Sequence, residues 1–249
     1  MSVKIYKFEE QTPGEFNGGE ILENRPVVLT GEENQLQPYS NLFYWAHAWS
    51  DKGSTIGEHP HRAFEILSFV IKGSIEHYDS HNRKWIPLKE GDVQIIRSGS
   101  GISHSEKINA HSELFQIWFD PDLNKTFGVP ATYNDYEAAS FPVKKENGFD
   151  IKIYTEDGSS FKMVTPGVNI KEISFAEGEH EYKIGDDKVC SVYLIEGKIT
   201  VGTSEVNAND FILAGDETSL KFSSPTAGRL FIIETPAKLT YRTYAERHN

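Results

Sequence analysis

Residues 59–75 read HPHRAFEILSFVIKGSI, and residues 97–106 read RSGSGISHSE. In an extended strand, residues two apart point to the same face. His59 and His61 therefore offer two donors in one direction, and His104 and Glu106 offer two more. The residues between the two motifs carry strand and turn signals. Ile66–Ile71 is an apolar strand, Lys72-Gly73 a turn, and Ser74–Tyr78 a second strand; Lys89–Asp92 turns again before the strand Val93–Ile96. If this stretch folds back on itself as a small barrel, the four donors converge. Three imidazoles and a carboxylate form an N/O set suited to a divalent transition metal such as Fe, Ni, Mn, Cu or Zn.

Flanking stretches extend the pattern. Asn41–Trp49 places Phe43, Trp45, His47 and Trp49 on one strand face. Glu113–Phe119 places Leu114, Gln116 and Trp118 on one face. Asp120–Pro142, with three prolines, reads as a connection with a helical turn at Asp135–Ala139. His77 and His81 lie in or after a polar strand and read as solvated or turn residues.

The second half echoes the first. Val192–Ile199 repeats the pattern of Phe69–Ile75, and Asn209–Leu213 that of Gly91–Ile95. Counting from Gly197 and Asp210 as the histidines count from Gly73 and Asp92 reaches Lys183, Gly185, Phe222 and Ser224, none of them matching the donors. His180 stands alone near the first motif's place. The expectation is an all-β chain of two tandem domains, with the metal site in residues 1–130 and no ligands in residues 131–249.

Composition narrows the partners. The chain has 249 residues, 25 Lys and Arg against 37 Asp and Glu, and a formal net charge of -12. That balance argues against a phosphate-binding surface and hence against direct nucleic-acid binding. Cys190 is the single cysteine, so no intramolecular disulfide forms. No apolar run has the length of a bilayer span. The reading is a cytoplasmic protein with no membrane association.

The motifs resemble those of the cupin superfamily: Gly53, His59-x-His61, Glu65 and Gly73, then Gly99-x-Gly101-x-x-His104. The spacing from Glu65 to Gly73 is one residue longer than usual, and Gly99 stands where cupins often carry proline. The match is closer to the pirin family. HPHRAFEIL resembles the pirin HPHRGFE motif with Ala63 in place of glycine, RSGSGISHSE resembles the segment ending G-x-G-I-x-H-x-E, and LFQIWF resembles the LQLW that follows. The resemblance implies a bicupin of two jelly-roll-like β-barrels, monomeric, with one metal in the N-terminal barrel held by His59, His61, His104 and Glu106. Ordinary cupins use the first motif's glutamate, here Glu65, and strand parity alone does not exclude it. The ligand set of pirins favours Glu106, leaving Glu65 as a partner that orients a histidine. Iron is the favoured metal, with nickel, copper, manganese or zinc as alternatives.

The resemblance further implies a quercetin 2,3-dioxygenase activity. A flavonol would be opened by O2 with loss of CO, Glu106 serving as the general base and Trp45, His47, Glu65, Gln116 and Trp118 as candidate pocket residues. Two other readings stand beside it: a metal- or redox-responsive module that binds a protein partner, like the transcriptional cofactors among pirin relatives, or another cupin enzyme acting on an enolizable substrate.

Overall fold

Apolar β-branched and aromatic runs broken by Gly, Asn and Asp turns give a chain of short antiparallel strands. The computed structural model describes residues 3–29, 36–156 and 158–247. Its strands are, in chain order, β1 (Lys4–Tyr6), β2 (Thr12–Phe16), β3 (Ile21–Val27), β4 (Leu42–Ser50), β5 (Ser54–His61), β6 (Glu65–Lys72), β7 (Ser74–Asp79), β8 (Trp85–Lys89), β9 (Val93–Arg97), β10 (Ile102–Ile108), β11 (Ser112–Phe119), β12 (Thr132–Tyr136), β13 (Val143–Glu146), β14 (Phe149–Ile153), β15 (Asn169–Phe175), β16 (Gly178–Lys183), β17 (Lys188–Glu196), β18 (Lys198–Val201), β19 (Ser204–Asn207), β20 (Phe211–Ala214), β21 (Ser219–Ser224) and β22 (Gly228–Pro236).

The chain divides into two units. One comprises Gln11–Ala138, Met163–Pro166 and the segment from Tyr241; the other comprises the segment through Glu10, Ala139–Lys162 and Gly167–Thr240. In the first unit a seven-stranded sheet of order β12-β9-β6-β11-β4-β3-β2 accompanies a four-stranded sheet of order β5-β10-β7-β8. In the second, β1-β20-β17-β22-β15-β14-β13 accompanies β16-β21-β18-β19. Each unit is thus a two-sheet sandwich rather than a closed barrel. The strand β12 lies in the stretch read as a connection, and it pairs with β9. This ladder carries the first unit past residue 130 to Ala138.

The internal echo is structural. Gly73 (φ 70°) and Gly197 (φ 95°) turn β6 into β7 and β17 into β18 through the left-handed region that favours glycine. Asp92 Oδ2 accepts from Lys89 N at 2.9 Å, and Asp210 Oδ2 accepts from Asn207 N at 2.9 Å. Gly91 N donates to Val70 O at 2.8 Å, as Asn209 N does to Leu194 O at 2.7 Å. The same aspartate-stapled turn therefore precedes β9 and β20.

What fills the two sandwiches differs. The second unit is packed by one apolar cluster that includes Ile173, Val192, Leu194, Ile212, Leu220 and Ile232, each at most 1% exposed. Its pair β16–β21 sets His180 opposite Phe222, and the His180 ring lies against Phe149, Phe175 and Phe222. In the first unit Ile21, Val70, Ile75, Ile108 and Leu114 pack one end, and Ile66, Ile96 and Ile102 pack another. The first unit also buries polar groups, among them Ser68, His77, His104 and Glu106.

Candidate metal centre

The four-stranded sheet of the first unit presents the histidines. Along β5 and β10, His59 pairs with His104 and Ile102 with His61. The register shifts just beyond, so that Gly57 and Glu58 lie opposite Ser105 alone. Such a bulge twists a strand and re-aims its side chains. The ring centroids of His59 and His61 are 4.8 Å apart, those of His59 and His104 4.4 Å, and those of His61 and His104 4.8 Å.

Tautomers follow from the partners. His59 Nδ1 lies 2.8 Å from the Gly57 carbonyl, which can only accept, so Nδ1 carries the proton and Nε2 presents its lone pair. That Nε2 faces His104 Nε2 at 3.0 Å. Among the described residues, His61 Nε2 and His104 Nδ1 are buried with no hydrogen-bond partner. Buried polar atoms without partners are rare and costly. A cation taking lone pairs from converging imidazoles fits this donor set, and so satisfies His61 Nε2.

Two triads of donor atoms each lie within 4.8 Å of one another: His59, His61 and His104; and His77, His104 and Glu106. Glu106 is 3% exposed, and its carboxylate is held in place. Ser68 Oγ donates to Oε1 at 3.0 Å, and Gln116 Nε2 donates to Oε2. Gln116 Oε1 in turn accepts from Trp118 Nε1 at 3.1 Å.

The environment keeps His61 and His104 neutral, the form a metal binds. Burial, then the facing His104 and His59 rings, pushes His61 down to about 3 from an ordinary 6.5. Burial, then His59 and His77, pushes His104 down to about 2. A histidine whose folded pKa is depressed stabilises the fold fully above its unfolded pKa, and that contribution is lost as pH falls through the folded value. The metal-free protein is therefore expected to lose thermal stability on acidification from about pH 6.5 toward pH 3, and His61→Leu to flatten that loss. Melting curves across the window check this.

A cavity of about 390 Å3 opens beside the triad, lined by His59, His61, Glu106, Gln116 and Trp118 and otherwise mostly by apolar side chains such as Leu29, Ile56 and Leu114. The volume suits a small organic molecule. Trp118 is clamped between Tyr44, stacked at 4.4 Å, and Phe64, stacked at 5.0 Å.

Three candidate pocket residues lie elsewhere. β4 is buried on both faces, and the residues it turns to the cavity are Tyr44, Ala46 and Ala48. Trp45 and His47 take the opposite face: Trp45 packs edge-on to Phe115 at 5.6 Å, and His47 Nε2 lies 3.3 Å from Glu113 Oε2. Glu65 is also turned away. β5 ends at His61 and β6 begins at Glu65, and between them Ala63 adopts φ 85°, which resets the strand parity. Ser68, not Glu65, reaches Glu106. The fully buried Glu65 carboxylate instead accepts from Val164 N at 2.9 Å, Thr165 N at 2.7 Å and Thr165 Oγ1. A non-glycine residue at this φ is strained. Ala63→Gly is expected to raise stability by about 0.5–1 kcal/mol, measured by chemical denaturation.

His77 is not solvated. It is 1% exposed, sits opposite Glu106 in the β7–β10 ladder, and faces Asp79 Oδ2 from Nε2 at 3.5 Å. The signal was the alternation of β7, in which Ile75, His77 and Asp79 share the buried face.

Comparisons with known proteins agree with this picture. Residues 27–119 match the pirin family model. A pirin-like protein of Caulobacter vibrioides is 26% identical over 71% of this chain and 67% of its own length. A quercetin 2,3-dioxygenase of Escherichia coli is 25% identical over 75% of this chain and 78% of its own. The crystal structure of the bacterial pirin YhhW from E. coli in complex with nickel(II) covers 95% of this chain and 100% of that chain, with a TM-score of 0.77 at 19% identity. Residues 27–119 carry a pirin-family domain, and the chain as a whole has a bicupin fold.

Proposed function

We propose that this chain is a metal-dependent dioxygenase that opens a flavonol such as quercetin with O2 and releases CO. The observation that carries the proposal is the cavity itself: His59, His61 and the doubly anchored Glu106 line a mostly apolar space, and the buried His104 belongs to a donor triad with each side of that set. A relative named quercetin 2,3-dioxygenase supports the substrate class.

His59, His61, His104 and Glu106 would hold one divalent metal in the first unit. Such a metal supplies a seat for a chelating enolate and the electron partner that dioxygen chemistry requires. The chain's residues do the rest. Glu106 takes the proton of the flavonol 3-hydroxyl, acting as a general base within the site. Ser68 and Gln116 hold its two oxygens, so the carboxylate meets that proton in one orientation. Trp118, fixed between Tyr44 and Phe64, is a rigid part of the cavity lining beside the planar substrate, and the apolar wall excludes water from the enolate.

The test is to incubate metal-reconstituted protein with quercetin in air and follow both the flavonol absorbance and released CO. Loss of absorbance with about one CO per flavonol supports the reading. Unchanged absorbance, or loss without CO, overturns it.

A further inference from the structure

On the β3 side, the same cavity contains a second polar group that the proposed reaction does not use. Glu23 on β3 is 7% exposed and lines the cavity with Arg25 and Tyr44. Tyr44 Oη donates to Glu23 Oε2 at 3.0 Å, and Arg25 Nε lies 3.2 Å from Glu23 Oε1. Gly14 pairs with Glu23 in the β2–β3 ladder, and the carboxylate lies where a side chain at position 14 would stand. The absence of a Cβ there lets the glutamate fold flat against β2.

A buried ion pair in an apolar space is weak evidence for stability, because apolar side chains of similar size do that work as well or better. Its position suggests another use. Gln116 on β11, Ala46 on β4 and Arg25 on β3 follow one another across the sheet. Two inter-strand spacings separate β11 from β3, roughly 10 Å. Between the two polar ends lie Ala46, Ala48 and Leu114, a small and apolar stretch. The space is therefore shaped for a flat apolar body with a polar group at each end.

Resting on the reading that one end of the ligand is chelated at the histidines, we propose that Glu23, supported by Arg25 and Tyr44, is a specificity subsite that accepts a hydrogen bond from a ring hydroxyl at the ligand's far end. A carboxylate has about four acceptor directions, so a ligand hydroxyl can join the two donors already named. The preferred substrates are then polyphenols carrying a hydroxyl remote from the chelating keto-enol, and flavonols lacking one are disfavoured.

The test uses binding to the zinc-loaded protein, in which no oxidation intervenes. The probes are 3-hydroxyflavone, which has the chelating head alone, and its 3,7- and 3,4′-dihydroxy analogues, titrated by their absorbance shifts. One of the two analogues is expected to bind about tenfold or more tighter than 3-hydroxyflavone, as a bond to a charged acceptor implies. Glu23→Gln is expected to cut that preference severalfold and leave the affinity for 3-hydroxyflavone unchanged. Gly14→Ala, which displaces the carboxylate without removing it, is expected to do the same. Equal binding of all three probes to the wild-type protein overturns the subsite and leaves the dioxygenase reading standing, as does a preference that survives in both variants. Zinc-loaded protein that binds none of the probes overturns the chelation reading on which the subsite rests.

Discussion

His104→Ala is expected to lower metal affinity by on the order of a hundredfold or more, to the point that purified protein retains no stoichiometric metal. His104 is fully buried, faces His59 Nε2 at 3.0 Å, and belongs to both donor triads. Among the described residues, no other belongs to both triads. Gln116→Ala tests the gradient. Gln116 does not enter either triad, but its amide fixes Glu106 Oε2. A partner that orients a ligand typically contributes about 10- to 100-fold to affinity, so the loss should be real but smaller than that of His104→Ala. Competition against a chromophoric chelator measures both. Equal affinities for wild type and His104→Ala would contradict the assignment.

Glu65→Gln is expected to destabilise the protein by about 2–4 kcal/mol and to leave metal stoichiometry unchanged. The side chain is fully buried and satisfies the amides of Val164 and Thr165, with Arg97 Nε 3.8 Å away. An amide in its place turns a donor toward at least one of those donors and strands it without water. Urea denaturation gives the stability, and metal analysis of the same sample separates the two roles. If Glu65 were a metal ligand, as the ordinary cupin pattern has it, the substitution would strip the metal while changing stability little.

The sandwich architecture was legible because strands of period two, separated by Gly and Asp turns, dominate the sequence, and because the echo of Gly73 and Asp92 in Gly197 and Asp210 falls on equivalent turns. The histidine cluster was legible for the same reason, since each i, i+2 pair lies within a single strand, His59 and His61 in β5 and His104 in β10. Parity failed where a strand was assumed to continue. Ala63, at positive φ, ends the run between His61 and Glu65, and nothing in its identity announces that conformation. The family's glycine at this place is the physical clue. Parity also could not choose a face for β4, whose residues are buried on both sides; large aromatics suggested Trp45 and His47, whereas the cavity needs the small Ala46 and Ala48 to exist. Glu23 and Arg25 were invisible because an acidic–basic pair in a strand reads as a solvated face until tertiary structure buries it.

Oxygen uptake on adding quercetin to protein reconstituted with one metal ion per chain, run beside His59→Ala treated identically, tests the central claim most directly. The account predicts quercetin-dependent uptake of about one O2 per flavonol by the wild-type protein and none by the variant. Metal-replete protein that consumes no oxygen, or a variant that consumes it equally, would contradict it.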